Sequence, residues 1–320
     1  MTLCLGIEST AHTFGASLVD DRGKIYSNAS KTFTTKKGGL IPAKLADHHL
    51  EYCDRVIEEA TQGFHDFDLI SYSAGPGIGN ALRIGSSMAL YLSKLLKKPL
   101  IGVNHCIAHL EIGSMLTKLE NPILLYVSGA NTQVIAYEGG RYRIFGETLD
   151  MGVGNFLDSV ARELGLGFPG GPKVMRLAAK SKNLIELPYV VKGMDISLGG
   201  IFTNVKQKIE LHMREDICYS IQETVFAMLL EVAERALAHC EKTELVLGGG
   251  VCCNSRLQDM AKKMCKANSY KCGIPKNDFL VDNAAMIAWT GLLMHQAGVK
   301  TEPGIRPYER TDQVEVSWRN

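Results

Sequence analysis

The sequence has no continuous apolar run of membrane-spanning length and no secretory signal peptide at its start. These absences argue against a membrane or secreted protein, and we expect a cytoplasmic location. The nine cysteines are odd in number and lack C-x-x-C spacing, which favours reduced thiols over a disulfide framework. The glycine-rich turn at 75–80 lacks the Gly-Lys-Ser/Thr ending of a P-loop, so it gives no support for ordinary nucleoside-triphosphatase machinery. The net charge is only +1, which neither favours nor excludes a nucleic-acid partner.

What is present is ordinary for a globular protein: 320 residues, 46% hydrophobic and 22% charged. This length is sufficient for two lobes with separate cores. The 32 glycines exceed the usual share and cluster in short loops. Such loops favour tight turns or a close approach of the backbone to a ligand.

Two histidines follow a short apolar run, Leu100 to Val103, that predicts a buried strand. Asn104 then occupies the position of a helix N-cap. His105 and His109 are four residues apart on the predicted helix, so both imidazoles face the same side. They could form half of a metal site, or they could be two ordinary polar histidines beside a buried cysteine. Cys106 stands where a zinc-protease helix needs glutamate, which disfavours a protease.

The strand pattern of the first thirty residues is repeated after residue 121. We predict strands at 3–8, 14–19 and 24–29, and again at 122–128, 133–138 and 141–147, each set with a small polar turn after its first strand. The repetition is structural rather than a sequence match. It predicts two related lobes that face a cleft. The first turn, residues 8–13, could present hydroxyls and N–H groups to a phosphate or could be a plain surface hairpin.

Several short motifs occur together and in one order along the chain. They are 102–109 (Gly-Val-Asn-His-Cys-Ile-Ala-His), 126–131 (Tyr-Val-Ser-Gly-Ala-Asn), 145–150 (Phe-Gly-Glu-Thr-Leu-Asp), 167–172 (Gly-Phe-Pro-Gly-Gly-Pro), 191–195 (Val-Lys-Gly-Met-Asp) and Asp282-Asn283. Together they resemble the archaeal and eukaryotic tRNA threonylcarbamoyladenosine transferases, the catalytic subunits of the KEOPS complex, which are related to the bacterial TsaD proteins. The resemblance spans nearly the whole chain.

The resemblance implies an α/β fold of the actin/Hsp70/sugar-kinase (ASKHA) type, with two related lobes around a nucleotide cleft. We expect an N-terminal lobe at 1–120, a C-terminal lobe at 121–284, and a final helix and tail at 285–320 that return toward the N-terminal lobe. The implied activity transfers a threonylcarbamoyl group from threonylcarbamoyl-AMP to the exocyclic amine of the adenosine after the anticodon, in tRNAs that read codons beginning with A. A kinase-like ATP-binding or ATP-hydrolysing enzyme, or a non-catalytic nucleotide-binding scaffold of the same fold, is the alternative.

The resemblance also implies the ligands of one divalent metal ion: His105, His109, Tyr126 and Asp282. Two imidazoles, a carboxylate and a phenolate suit Fe or Zn, and we favour Fe. Mg is a less natural match to nitrogen ligands. The metal would assist acyl transfer by stabilising charge on the phosphate or the carbamoyl group. Glu8, Ser9 and His12 are candidates for orienting the incoming amine or moving its proton.

A second implied set of residues binds the nucleotide, which is threonylcarbamoyl-AMP, AMP or ATP in the cleft. It comprises Tyr126, Val127, Ser128, Gly129, Ala130, Asp158, Gly171, Met175 and Asn254. Asp158 is expected to accept hydrogen bonds from ribose hydroxyls, and Gly171 to let the backbone approach the base or sugar.

The chain departs from the family pattern at four positions. Ala130 and Ala284 stand where glycine is usual, and alanine would be strained by about 1 kcal/mol at a left-handed backbone position. Met175 replaces a glutamate that contacts the ribose, and Gly199 replaces a serine. These departures bear on nucleotide affinity rather than on the class of reaction.

The resemblance finally implies the partners: tRNA, a small atypical protein kinase and a small dimerising subunit, with no membrane involved. In some archaea the kinase is fused after this domain, and no kinase is expected within a chain that ends at Asn320. Lys31, Lys36 and Lys37 give one loop a basic edge for contact with tRNA.

Overall fold

The computed structural model describes residues 1–35, 41–64 and 66–319. Its first lobe is built on a five-stranded sheet. The strands are β1 (Leu3–Glu8), β2 (Thr13–Asp20), β3 (Ala29–Thr32), β4 (Leu69–Gly75) and β5 (Leu100–Asn104). They lie in the order β3-β2-β1-β4-β5, with β1 antiparallel to β2 and parallel to β4. The parallel strands β1, β4 and β5 therefore end at one edge of the sheet.

The second lobe contains another five-stranded sheet and a short two-stranded one. The strands are β6 (Ile123–Val127), β7 (Thr132–Glu138), β8 (Arg141–Glu147), β9 (Val191–Lys192), β10 (Asp195–Ile196), β11 (Glu244–Gly248) and β12 (Lys271–Gly273). The large sheet has the order β12-β11-β6-β7-β8, with β6 antiparallel to β7 and parallel to β11. In each lobe a three-stranded meander is thus followed by two parallel strands. The predicted structural repeat and the ASKHA-type architecture are confirmed.

Ten helices surround the sheets in the described part of the chain. They are α1 (Pro42–Thr61), α2 (Gly79–Leu96), α3 (His105–Thr117), α4 (Val153–Glu163), α5 (Gly171–Ala178), α6 (Gly199–Lys208), α7 (Arg214–His239), α8 (Ser255–Ala267), α9 (Asn277–Leu280) and α10 (Ala284–Gln296). Short 3-10 turns occur at Gly250–Cys253 and Thr311–Gln313. In the ranges that the structure covers, no helix is both long and apolar enough to cross a membrane.

Helix α10 packs against β1 and β2 of the first sheet. The approach is close because Gly6 has no side chain: a Cβ there would lie 2.4 Å from the Ala284 carbonyl oxygen. The chain after residue 284 therefore contacts the first lobe. The expected lobe boundaries at 120 and 284 stay a prediction.

The core of the second lobe forms around the long helix α7. Its apolar stripe, predicted from the helical spacing of Ile221, Val225, Met228, Val232 and Ala236, is fully buried. The stripe packs with residues of the sheet and of α4 into one cluster. This burial makes α7 a central element of the hydrophobic core of the second lobe.

Two predicted strands are wrong in position or type. We predict the third strand of the first sheet at 24–29, but the strand that pairs with β2 is Ala29–Thr32. Within the predicted range, Ile25 forms an isolated bridge with Val19. The alternating apolar residues Val314 and Val316 predict a short terminal strand, but this segment forms no strand. Its valines pack on the side chains of a hydrophobic cluster instead of pairing with a strand. Alternating apolar residues indicate which face is buried, not whether the backbone finds a strand partner.

Candidate metal centre

Helix α3 begins where β5 ends, and its first residue is His105. The Asn104 side chain caps the helix: its Oδ1 accepts the N–H groups of Cys106 at 3.1 Å and Ile107 at 3.2 Å. This confirms the N-cap predicted from the sequence. His105 and His109 are 4% and 1% exposed, so both imidazoles are inside the protein, one turn apart.

Asp282 approaches the two histidines from the segment between α9 and α10. Its Oδ1 lies 3.3 Å from His105 Nε2 and 3.5 Å from His109 Nε2. The ligand atoms of these three residues all lie within 4.8 Å of one another. Residues almost 180 positions apart thus converge at one point between the lobes.

Tyr126 joins them from β6 of the second sheet. Its hydroxyl lies 3.1 Å from His105 Nε2, and its ring centroid is 4.8 Å from that of His109. The phenol is 2% exposed, and burial raises its pKa well above the ordinary value. The structure therefore brings together all four residues that the resemblance assigned to the metal.

The site fits a divalent metal by two observations. Both ring nitrogens of His109 are buried and make no hydrogen bond to any residue that the structure describes. His109 Nε2 lies 3.5 Å from Asp282 Oδ1, a distance too long for a strong hydrogen bond, and a metal ion bound there would satisfy this buried nitrogen. The ligand atoms are two nitrogens, a carboxylate oxygen and a phenol oxygen, a mixture that suits Fe or Zn better than Mg.

The environment of the site shifts the pKa values of the two histidines in opposite directions. Burial lowers the pKa of His105, but the Glu8 carboxylate, Tyr126 and Asp282 outweigh burial and raise it well above the ordinary value. Burial lowers the pKa of His109, and Asp282 offsets this only in part, so His109 is neutral. Burial raises the pKa of Asp282, but the two imidazoles outweigh it and hold that pKa well below its usual range. Asp282 is therefore a carboxylate, the form that binds a metal.

Glu8, proposed from the sequence as a catalytic group, lies on the Nδ1 side of His105, whereas Asp282 lies on the Nε2 side. It is fully buried, and its Oε2 is 3.0 Å from His105 Nδ1. Its Oε1 accepts the backbone N–H of Thr10 at 2.6 Å and also the Thr10 hydroxyl. Both carboxylate oxygens are thus engaged inside the protein.

Ser9 and His12, the other two catalytic candidates, take different positions. The Ser9 hydroxyl packs against α2, where a Cβ at Gly85 would lie 2.1 Å from it. Within the described ranges that hydroxyl has no hydrogen-bond partner. His12 is partly exposed, and its charge acts on both Asp282 and Asp158. Of the three candidates, His12 alone has a partly exposed side chain, since Glu8 and Ser9 are buried.

Three of the expected nucleotide residues, Ser128, Gly129 and Ala130, lie in the tight turn at 128–131 between β6 and β7. The Ser128 hydroxyl donates to the Asn131 carbonyl at 3.0 Å and accepts the Asn131 N–H at 3.1 Å. The carbonyls of Ser128 and Gly129 accept N–H groups from the start of α4. Val127 is buried at the end of β6, where its backbone meets Gly249, which has a φ of 93°. These backbone hydrogen bonds therefore fix the turn to the start of α4 in the second lobe.

The remaining nucleotide candidates lie on α4, α5 and the start of α8. Asp158 Oδ1 accepts the Gly170 N–H at 2.6 Å, and burial raises the Asp158 pKa. Gly171 faces open space, since a Cβ there would meet no atom within 4 Å. Met175 Sδ lies 4.0 Å from the hydroxyl of Ser255, which follows Asn254. The structure thus places Met175 beside the Asn254 segment.

Asn254 caps helix α8. Its Oδ1 accepts the Arg256 N–H at 2.9 Å, and its Nδ2 donates to Gln222 Oε1 at 2.9 Å. The side chain is 8% exposed. A structural role is therefore visible here, whereas contact with a nucleotide stays a prediction.

The two alanines in place of family glycines cause no backbone strain. Ala130 and Ala284 are not among the non-glycine residues with positive φ. Ala284 instead packs its methyl group toward Gly15, where a Cβ would lie 3.5 Å away. The strain considered from the sequence is therefore absent at both positions.

Two residues at the site were missed from the sequence. Thr10 Oγ1 lies 3.2 Å from His105 Nδ1, and its place in the polar turn at 8–13 was the available signal. Glu309 Oε2 accepts a hydrogen bond from Asn104 Nδ2 at 2.9 Å. No local pattern marks Glu309, because only the folded chain brings residues 104 and 309 together. Lys36 and Lys37, part of the expected basic edge, lie outside the described residues.

Comparison with protein families and curated proteins gives one consistent result. The family model described as tRNA N6-adenosine threonylcarbamoyltransferase matches residues 24–289. A protein of that name from Thermococcus sibiricus is 49% identical over 99% of this chain and 100% of its own length. A Methanocaldococcus jannaschii protein named as a probable bifunctional tRNA threonylcarbamoyladenosine biosynthesis protein is also 49% identical, but this chain covers 60% of its length.

Solved structures show the same fold at low sequence identity. HypF from T. kodakarensis has a TM-score of 0.66 at 15% identity, covering 92% of this chain and 48% of that one. A ROK family glucokinase from Streptomyces griseus has a TM-score of 0.52 at 12% identity, covering 90% of this chain and 99% of that one. These likenesses support the two-lobed fold alone.

Proposed function

The chain belongs to the tRNA N6-adenosine threonylcarbamoyltransferase family, and from this we propose that it transfers a threonylcarbamoyl group from threonylcarbamoyl-AMP to the exocyclic amine of the adenosine following the anticodon. It is a transferase that acts in tRNA modification. The tRNAs concerned read codons that begin with A. The observation that carries the proposal is the convergence of His105, His109, Asp282 and Tyr126 in the cleft between the lobes.

These four residues would hold the metal ion, with Fe favoured over Zn. A divalent ion there supplies Lewis acidity, which stabilises negative charge on the phosphate or the carbamoyl oxygen and helps AMP to leave. Glu8 orients His105 by accepting the Nδ1 proton, which directs Nε2 toward Asp282 and Tyr126.

The reaction needs no nucleophilic side chain because the mixed anhydride is already activated. The amine nitrogen forms a bond to the carbamoyl carbon, and the bond from that carbon to the phosphate oxygen breaks. AMP leaves with the electron pair, and the amine loses one proton. His12 is our candidate for orienting the amine and accepting that proton, because its side chain is partly exposed and makes no hydrogen bond to the described residues.

The nucleotide would lie across the second lobe. We propose that the turn at 128–131 contacts its phosphate and that Asp158 and the open backbone at Gly171 face the sugar or base. In support, the Asp158 carboxylate is half-buried and Gly171 has free space before it. Met175 and Asn254 would border the same pocket, since their segments meet at Ser255.

We further propose three partners: tRNA, a small atypical protein kinase and a small dimerising subunit. Support for the kinase comes from the relatives named as bifunctional, of which this chain covers 60% to 61%. We infer that the part of those proteins outside the match supplies the second function that the word bifunctional in their names indicates.

The test is a transfer assay with defined substrates. Threonylcarbamoyl-AMP and unmodified tRNA are incubated with the chain and its partner subunits, and digested tRNA is analysed for the modified nucleoside by mass spectrometry. We expect product with the wild type and a rate at least a hundredfold lower with Asp282→Ala, since one lost electrostatic contact costs about 10²–10³ in rate.

Lys266→Ala is the matched control, because Lys266 lies at the end of α8, outside the site. Equal rates for the wild type and Asp282→Ala would refute the metal-centred reaction. No product with the wild type, when the partners are active, would refute the proposed substrate.

A further inference from the structure

The C-terminal segment, residues 301–319, runs along both lobes as a strap. At its start, Thr301 Oγ1 accepts the Gly102 N–H at 2.8 Å. The Arg306 N–H then donates to the Ala74 carbonyl at 2.6 Å, at the end of β4. Thr311, further along, is 2% exposed. The strap is therefore fixed to the first sheet just before it reaches the metal helix α3.

The strap contacts α3 at the N-cap. Glu309 Oε2 accepts a hydrogen bond from Asn104 Nδ2 at 2.9 Å, while Glu309 Oε1 lies 2.9 Å from Arg306 Nε. The other end of the Asn104 amide, Oδ1, caps the helix. Glu309 therefore fixes the orientation of the amide that starts the ligand-bearing turn.

The strap contacts α3 again at Glu111. This carboxylate is 4% exposed and accepts Trp318 Nε1 at 3.1 Å and Arg319 Nε and Nη2, each at 2.9 Å. It also accepts the hydroxyl of Tyr142, which lies on β8 of the second lobe. A buried, bidentate and hydrogen-bonded ion pair has a fixed geometry and is costly to break.

Between the two contacts, the strap packs on the same helix. Val314, Val316 and Trp318 join the hydrophobic cluster that contains Cys106, Ile107 and Leu110 of α3 and also Tyr126. The metal ligands His105 and His109 lie between Asn104 and Glu111 in the sequence. The helix turn that carries the ligands is thus held at both ends and along one side by a single segment.

We propose that Glu309 and Arg319 are positioning residues for the metal site. By holding α3 at Asn104 and Glu111, they fix the two imidazoles relative to Asp282 and Tyr126. Residues that orient metal ligands commonly change metal affinity by 10–100-fold when they are lost. The inference rests on the proposed metal site. It assigns a function to the strap, which contains none of the four proposed metal ligands.

The test measures binding of Co²⁺ alone to metal-free protein by competition with a fluorescent chelator, without activity. We expect Glu309→Ala to raise the Kd about tenfold. Glu309→Gln, which keeps an acceptor oxygen for Asn104, should remain within about threefold of the wild type. Arg319→Lys keeps the charge but loses the bidentate geometry, and we expect it to raise the Kd about tenfold.

The matched control is Arg310→Ala. Arg310 belongs to the strap but pairs with Asp312 and Glu147 rather than with α3. Its Kd for Co²⁺ should equal that of the wild type. The melting temperature of each metal-free variant is measured in parallel, because a purely structural role would lower the melting temperature without changing the Kd of the folded protein.

The outcomes separate this inference from the metal site itself. If His109→Ala binds Co²⁺ as the wild type does, the proposed site is wrong. If His109→Ala loses Co²⁺ while Glu309→Ala and Arg319→Lys bind it normally, the site stands and the positioning role is refuted. Equal loss in Glu309→Ala, Glu309→Gln and Arg310→Ala would also refute it, since the effect would not follow the hydrogen bond to Asn104.

Discussion

At the scale of single residues, His105 is held from both sides. Glu8 and Thr10 lie near its Nδ1, and Asp282 and Tyr126 lie near its Nε2. Such an arrangement orients the ring so that Nε2 faces the proposed metal position. Glu8, grouped with Ser9 and His12 from the sequence as a catalytic candidate, is instead engaged with His105, and we propose separate roles for Glu8 and His12.

Substitutions at Glu8 and at His12 test the two proposed roles separately. Glu8→Gln should weaken metal binding about tenfold or more, because the amide no longer accepts the Nδ1 proton in the same way. His12→Ala should retain the metal and lower the transfer rate about 10²–10⁴-fold, the usual value of a proton-transfer group. Metal content and single-turnover rate are measured on both variants. Full metal content in Glu8→Gln, or metal loss in His12→Ala, would contradict the assignment.

Met175 provides a second test at this scale. The family resemblance places a ribose-contacting glutamate at this position, so we expect Met175→Glu to bind AMP about twofold to tenfold more tightly, the value of one hydrogen bond of roughly 0.5–1.5 kcal/mol. Calorimetry measures AMP binding to both forms, with Met175→Leu as the apolar control. Weaker binding by the glutamate variant would place the side chain against the adenine face. Unchanged binding would show that position 175 faces away from the nucleotide and would question the placement of Gly171.

At the scale of elements, short polar contacts set where helices begin. Asp150 accepts the N–H groups of Leu198 at 3.0 Å and Gly199 at 2.7 Å, at the start of α6. Burial raises the pKa of Asp150, but these N–H groups outweigh it and hold the pKa below the ordinary 3.8. The start of α6 is therefore capped by Asp150 although Gly199, where the resemblance places a serine, offers no side-chain hydroxyl.

The sign of the pH effect follows from the lowered pKa of Asp150. Its contribution to stability is fully present above the unfolded pKa and is lost as the pH falls through the folded pKa. Asp150→Asn should lower the melting temperature by a constant amount from pH 7 to about pH 5, and the difference should shrink below 3.8. A difference that persists unchanged at lower pH would show that the charge of Asp150 does not matter.

Local sequence patterns could predict most elements but only part of the site. The spacing of His105 and His109 and the N-cap at Asn104 were sufficient to predict α3 and its paired imidazoles. The convergence of Asp282 and Tyr126 required the family resemblance, because nothing near them in sequence marks them as ligands. Glu309 could not be predicted, since its contact with Asn104 depends on the path of the strap across the whole molecule.

At the scale of the whole molecule, the duplicated lobes create the cleft. Parallel strands of the first sheet end at Glu8 and Asn104, and β6 of the second sheet carries Tyr126 near its end. Ligands in folds of this kind bind beyond the carboxyl ends of the strands. The proposed metal residues therefore come from both lobes, whereas the proposed nucleotide residues come from the second lobe alone, and closure of the cleft is expected to move His105 and His109 relative to Tyr126.

The low net charge of the chain predicts how strongly it binds tRNA. With a net charge of +1, this chain alone should bind tRNA weakly and with strong salt dependence, through local patches such as the one at Lys31. Fluorescence anisotropy with labelled tRNA at 50 and 200 mM salt measures this. Tight binding at the higher salt without partner subunits would show that a specific tRNA site exists on this chain and that its charge pattern was misjudged.

The central claim is that His105, His109, Asp282 and Tyr126 bind one metal ion. Elemental analysis of protein purified without oxygen tests it most directly, with the wild type and His109→Ala prepared side by side. We expect about one equivalent of Fe or Zn in the wild type and far less in the variant, because removal of one ligand from four weakens a site strongly. A full equivalent of metal in His109→Ala would contradict the claim.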